Sequence, residues 1–175
     1  GILPALETGD EAPLFGRKAT MRDLGRNGSF MVIRQLEQHV STFNAYCRHA
    51  AEALRTETGN AAVASKWIAA KMVGRWQDGT SRVRNPNGRP DREPDNDFTF
   101  ATEDPQGLHC PLGSHVRRSN PRDSLGDDPE TQLRINNRHR ILRCGRTYKN
   151  GQEAGLLFMC LNADIERQYE FMQQS

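Results

Sequence analysis

Hydrophobic and polar positions alternate through Gly28–Gln38, where Ser29, Met31, Ile33 and Gln35 interleave with Phe30, Val32, Arg34 and Leu36. A period of two carrying β-branched and aromatic residues predicts a strand. The period then changes. From Ser41 to about Glu57, Phe43, Cys47, Ala50 and Leu54 recur at spacings of three and four, which predicts a helix capped by Ser41 and stopped by Gly59. A second helix is expected from about Ala61 to Val73, with Val63, Trp67 and Ala70 on one face. Arg140–Tyr148 and Gly155–Asn162 read as two more strands, the second an apolar run, joined by a hairpin with Asn150-Gly151 as its turn signal. A last helix starts near Asp164, with Ile165, Gln168, Tyr169 and Met172 along one face. The order strand, two helices, loop, two strands, helix predicts an α+β domain whose antiparallel sheet carries helices on one face.

Between the second helix and the second strand, residues 74–132 show no convincing period and are rich in Pro, Gly, Asn, Asp and Arg. A stretch of that length implies either disorder or a segment held by something it binds. One less polar island lies inside it, Leu108–Val116 (LHCPLGSHV), and such an island is where chemistry is sought. Residues 1–27 read as irregular surface chain.

Composition narrows the function classes. The chain has 175 residues, enough for one ordinary domain, and only 35% of them are apolar. With 24 Lys+Arg against 22 Asp+Glu, the net charge of +2 excludes a strongly basic nucleic-acid footprint as the leading idea. No apolar run is long enough to span a membrane. The first residue is Gly1 and the last three are Gln-Gln-Ser, which reads as a chain trimmed at both ends. Cys47, Cys110, Cys144 and Cys160 are far apart and form no C-x-x-C pair, so free thiols are expected.

His115 is the first candidate for chemistry, because it ends the apolar island and is followed by Arg117, Arg118 and Arg122. A metal-ligating imidazole beside several guanidinium groups matches what haem needs, one axial ligand and cations for two propionates. A packed structural histidine, or a zinc site made with His109 and Cys110, stays open on this pattern. Arg143 lies on a predicted strand beside Ile141 and Leu142; it is either an outward-facing ion-pair partner or a cation turned into an apolar pocket. Asp78, in Trp76–Gly79, fits an Asp-Gly turn better than an acid/base group. Arg82, Arg84, Arg89 and Arg92 alternate with Asp91, Glu93, Asp95 and Asp97, and mixed signs favour a solvated loop.

Five blocks, Leu24–Phe43, Ala70–Gly79, His109–Asp123, His139–Tyr148 and Gly155–Gln173, together resemble the dye-decolorizing peroxidases, a haem peroxidase family. Their order is similar to that in the C-terminal half of the larger bacterial and fungal members. The run HCPLGSHVRRSNPRD is the most specific, since it joins His, Arg and NPR. The resemblance implies a ferredoxin-like α+β half, one of two that build a dimeric α+β barrel around haem b (iron protoporphyrin IX). On this implication residues 28–175 form the haem-binding half-domain, with 74–132 as a long inserted loop. His115 becomes the proximal iron ligand and Arg143 the distal arginine. Leu156 and Phe158 line the distal pocket, and Arg122, with Arg117 as a weaker candidate, meets the propionates.

A fixed cation on the open haem face would favour the hydroperoxide anion, and apolar neighbours would strengthen it by excluding water. Trp76, Tyr148 and Tyr169 are candidates for relaying electrons from bulky reductants. The family's distal aspartate belongs to a GxxDG motif that this sequence does not contain, and Asp78 does not replace it. The implied partners are therefore an N-terminal half of the same peroxidase, as a separate or cleaved chain, together with hydrogen peroxide and an aromatic reductant. Neither nucleic acid nor membrane is expected. The alternatives are a non-catalytic haem carrier and a haem-free structural subunit.

Overall fold

The computed structural model describes residues 28–58, 64–88, 96–151 and 153–174. The expected irregular segment 1–27, the helix stop at Gly59 and the loop arginines Arg89 and Arg92 lie outside the described residues. Three strands form one antiparallel sheet in the order β1-β3-β2: β1 (Phe30–Glu37), β2 (Leu142–Asn150) and β3 (Glu153–Asn162). The apolar run GLLFMCLN takes the central place, where both ladders of backbone hydrogen bonds are satisfied. The β2–β3 hairpin closes on the pair Asn150–Glu153, with Gly151 at φ +59°, the left-handed conformation that a tight hairpin turn requires.

Helices α1 (Val40–Thr58) and α2 (Ser65–Val73) pack on one another through Cys47, Ala51 and Ile68, with Ala50, Leu54 and Trp67 around them. The three-and-four spacing picked out Cys47, Ala50, Leu54 and Trp67 but not Ala51 or Ile68, and Phe43, expected on the same stripe, is exposed. The helix begins at Val40, so Ser41 lies in its first turn rather than before it. Helix α2 ends at Gly74, whose φ of +90° no side-chain-bearing residue adopts readily. A Cβ there would come within 3.0 Å of both Cys110 Sγ and Ser114 Oγ, so the end of α2 sits directly against the apolar island. None of the helices among the described residues is long and apolar enough to cross a membrane.

Where the lack of period suggested disorder or a segment held by what it binds, the described residues of the long central segment fold around a core of their own. It contains three short helices, α3 (Phe100–Glu103), α4 (His115–Ser119) and α5 (Pro129–Asn137), around a small core of Val83, Phe98, Phe100 and Cys110. Buried polar groups hold it. Asp123 accepts from the backbone N–H groups of Phe100 (2.8 Å) and Ala101 (3.1 Å), closing the start of α3. Arg84 pairs with Asp97 and Glu103, each at 2.6 Å. Arg82, expected in solvent, is only 2% exposed and lies between the rings of Trp67 and Trp76, 5.5 and 4.9 Å from their centroids.

The C-terminal element also departs from a plain helix. It opens with one π-helical turn, Glu166–Glu170, and continues as α6 (Phe171–Gln174). Asp164 accepts from Arg167 N–H at 3.0 Å, and the Gln168 side-chain oxygen accepts from the N–H groups of Ala163 and Asp164. Arg34 of β1 donates to the Tyr169 hydroxyl (2.9 Å) and to Gln173 (3.2 Å), which ties this element to the sheet.

Candidate functional site

The sheet register puts three of the expected site residues on one face. Arg143 stands opposite Cys160, Gly145 opposite Phe158 and Thr147 opposite Leu156. Directly opposed residues share a face, so Arg143, Phe158 and Leu156 project the same way, with Val32, Arg34 and Leu36 of β1 beside them. Gly145 leaves room between them; a Cβ there would approach Leu156 Cδ1 to 3.0 Å. Tyr169 packs toward Phe158 (ring centroids 6.4 Å apart) on the β1 side of this face. Arg143, on edge strand β2, is exposed, whereas Phe158 and Leu156 are half-buried.

His115 opens α4 with its imidazole exposed, and its one polar neighbour among the described residues is Ser119 Oγ, 3.5 Å from Nδ1. The chain leading to it is tightly fixed. Asp104 accepts from His109 N–H (3.2 Å) and Cys110 N–H (2.7 Å), while Arg82 Nε donates to His109 O at 3.1 Å. Lys71 reaches across from α2 to the Leu108 carbonyl. Arg117 is 3% exposed and gives its donors to the carbonyls of Asp104 (2.8 Å), Cys110 (3.2 Å) and Pro105 (3.3 Å), with its guanidinium 4.5 Å over the Phe100 ring. Arg117 therefore braces this loop from inside, and its donors are turned to the protein.

The zinc alternative finds no support in the geometry. Cys110 is fully buried against Ser114 Oγ (3.1 Å), and burial pushes its thiol up, away from the thiolate a metal needs. Among the described residues no group of three His, Cys, Asp or Glu side chains is placed to hold a metal ion.

Arg122 has an unusual backbone. Its φ is +55°, strained for a residue with a side chain, and Asn136 Nδ2 donates to its carbonyl. The guanidinium lies 3.8 Å from the Phe98 ring centroid and donates through Nη1 to Phe98 O (2.5 Å) and Asn96 O (2.8 Å). Among the described residues Arg122 Nε is buried with no hydrogen-bond partner. A buried donor without an acceptor is costly, so this position suits an incoming anion. Burial lowers the Arg122 pKa, and the nearby charges of Arg75 and Arg140 lower it further.

No family model matches the chain. Proteins of known sequence do. The chain is 31% identical over 162 residues to the multifunctional dye peroxidase of Amycolatopsis sp., covering 84% of this chain and 33% of that protein. It is 30% identical over 169 residues to a dye-decolorizing peroxidase of Auricularia auricula-judae, covering 85% and 33%. A solved DyP-type peroxidase from Anabaena sp. superposes with a TM-score of 0.71 at 30% identity, over 83% of this chain and 31% of that one. The chain is a relative of the dye-decolorizing peroxidases. It spans about a third of the length of the relatives it matches, less than the half expected, and corresponds to their C-terminal part.

Within this dye-decolorizing peroxidase fold, Arg143, Leu156 and Phe158 meet on the sheet, while His115 and Arg122 sit on the long central segment. Sequence reasoning missed Arg75, Asp104 and Asn96. Asp104 lies five residues before the apolar island, a spacing that carries no motif, and its role rests on contacts between remote residues.

Proposed function

We propose that this chain is the haem-binding part of a dye-decolorizing peroxidase that acts with an N-terminal companion. His115 would ligate the iron, Arg122 would receive a propionate, and Leu156 and Phe158 would line the peroxide pocket. When bound, the haem supplies the redox-active iron at which hydrogen peroxide is reduced and an aromatic reductant oxidised. Arg143 would supply a fixed guanidinium charge on the same sheet face and bind the anionic form of peroxide. The half-buried Leu156 and Phe158 lower the local polarity and strengthen that interaction. Arg117 and Asp104 fix the loop so that the His115 ring is presented without rearrangement. The companion provides the carboxylate that accepts the peroxide proton, in keeping with the absence of GxxDG from this sequence.

The observation that carries the reading is the pairing of an exposed, nearly unpartnered imidazole with a buried arginine Nε that lacks an acceptor. An exposed apolar surface on the other sheet face, Met31, Ile33, Leu142 and Leu161, supports a covering companion. The test is a titration of the full chain with iron(III) protoporphyrin IX. A Soret band that saturates near one equivalent, and is lost in His115→Ala, is expected. A chain that gives no such band refutes the proposal. Peroxide-dependent dye oxidation is then measured with the companion added: turnover that falls in Arg143→Ala is expected, and haem binding without turnover would indicate a carrier.

A further inference from the structure

Arg75 lies just after α2 and has no role in the reading above. Its guanidinium donates through Nη1 to Gly79 O at 2.9 Å and through Nη2 to Asn96 Oδ1 at 2.6 Å. Arg122 donates to the backbone oxygen of the same Asn96. Both guanidinium groups also flank one ring, Phe98, which is 1% exposed; Arg75 is 5.5 Å from its centroid and Arg122 3.8 Å. A single residue and a single ring therefore hold two like charges together. Among the described residues none of the hydrogen bonds of either arginine goes to a carboxylate, although the Asp123 charge acts on Arg122 and raises its pKa.

Like charges drawn together in a half-buried place repel, unless an anion joins them. Burial lowers the Arg75 pKa, and the charge of Arg143 acts in the same direction. Arg122 Nε lacks an acceptor among the described residues.

We infer that Arg75 and Arg122, aligned by Asn96 and Phe98, form a two-guanidinium clamp for one carboxylate of the bound porphyrin. This deepens the proposed function and rests on it. Arg122 offers Nε from the buried side, and Arg75 adds a second fork from α2. One carboxylate has lone pairs enough to accept from both. Because the clamp reads the carboxylate and not the ring, it distinguishes a free porphyrin acid from its ester.

The experiment titrates the full chain, by Soret absorbance, with iron(III) protoporphyrin IX and separately with its dimethyl ester. Wild type, Arg75→Gln, Arg122→Gln, the double variant and Asn96→Ala are compared. Each single arginine variant should weaken binding of the acid about tenfold, the worth of a charge-assisted hydrogen bond. The double variant should lose less than the product of the two, since the groups share one anion. Asn96→Ala, which removes no charge, should also weaken the acid. The ester should bind wild type more weakly and respond to none of the substitutions.

Unchanged acid binding in Arg75→Gln overturns the clamp. So does an equal loss for acid and ester, which would mark Arg75 as a structural brace. If neither porphyrin gives a Soret band on the wild type, the haem reading itself fails, and the two failures are told apart.

Discussion

Removing the charge of Asp104 should destabilise the segment that carries His115 more than any other single polar change. Asp104 is 4% exposed and its carboxylate stands 3.7 Å from Arg117 Nη1, itself 3% exposed. At that separation and an effective dielectric of about 20, the attraction is about 4 kcal/mol. The carboxylate also accepts from His109 N–H and Cys110 N–H. In Asp104→Asn the amide matches the shape but not the charge. One backbone N–H then meets an N–H₂ group, and Arg117 is left buried without its counter-ion. Breaking a buried pair from one side costs about 3–5 kcal/mol, so a loss of that size is expected.

Arg117→Met should cost a similar amount, because it strands Asp104. The double variant Asp104→Asn/Arg117→Met should lose well short of the sum, since neither charge is left alone. Urea unfolding of the four chains gives the coupling energy. Hydrogen exchange at the His109 and Cys110 amides reports whether the loss is local. A coupling below about 0.5 kcal/mol would refute the reasoning, for the two groups would then act independently.

Four further outcomes are expected. Gly155→Ala should weaken the β1–β3 pairing by about 2 kcal/mol or more, because a Cβ there drives into the Leu36 carbonyl and comes within 2.6 Å of the Tyr148 hydroxyl; thermal unfolding checks it. In the native chain a thiol reagent should modify Cys144, which is exposed, and leave Cys47, Cys110 and Cys160 unmodified until denaturant is added. Cys110 has a pKa raised above 9.0 by burial, so its contribution to stability is fully present below pH 9.0 and lost as pH rises through the folded value; Cys110→Ala should flatten that alkaline decline. Asp164 is held low, chiefly by the Arg167 N–H, so its contribution is present above pH 3.8 and lost as pH falls through its folded value. The Tyr169 ring signals in an NMR titration should hold steady down to pH 3.8 and move below it, and Asp164→Asn should remove that step.

The sheet and first two helices were legible because each carries a periodic or continuous apolar pattern. Alternation marked β1 to within two residues, the apolar run marked β3, and the α1 spacing named Cys47 and Leu54, which pack in the helix pair. Strand parity also made the shared face of Arg143, Phe158 and Leu156 readable once the hairpin turn was located.

The central segment was not legible. Its helices are four, five and nine residues long, too short to show a stripe. Asp123 closes α3 from 23 residues away, and Arg117 reaches 13 residues back to Asp104. Composition gave the wrong environment for Arg82, because a buried arginine and a solvated one look the same in a polar stretch. The aromatic partners that distinguish them, Trp67 and Trp76, belong to α2 and the turn after it.

The strand order has a consequence for how the chain reaches this shape. β3, the central strand, comes last in sequence, and its first-strand partner lies at the opposite end of the described chain: Phe30 pairs with Asn162. The β2–β3 hairpin is local and can form within microseconds. Docking β1 requires closing a loop that holds every helix from α1 to α5, an entropic cost met only when the last ladder zips. During synthesis β1 emerges first and waits with Phe30, Met31 and Ile33 unpaired until β3 has left the ribosome. The early hairpin and the late edge thus make docking of β1 the slow step of this sheet, with an unpaired strand edge exposed until it is complete.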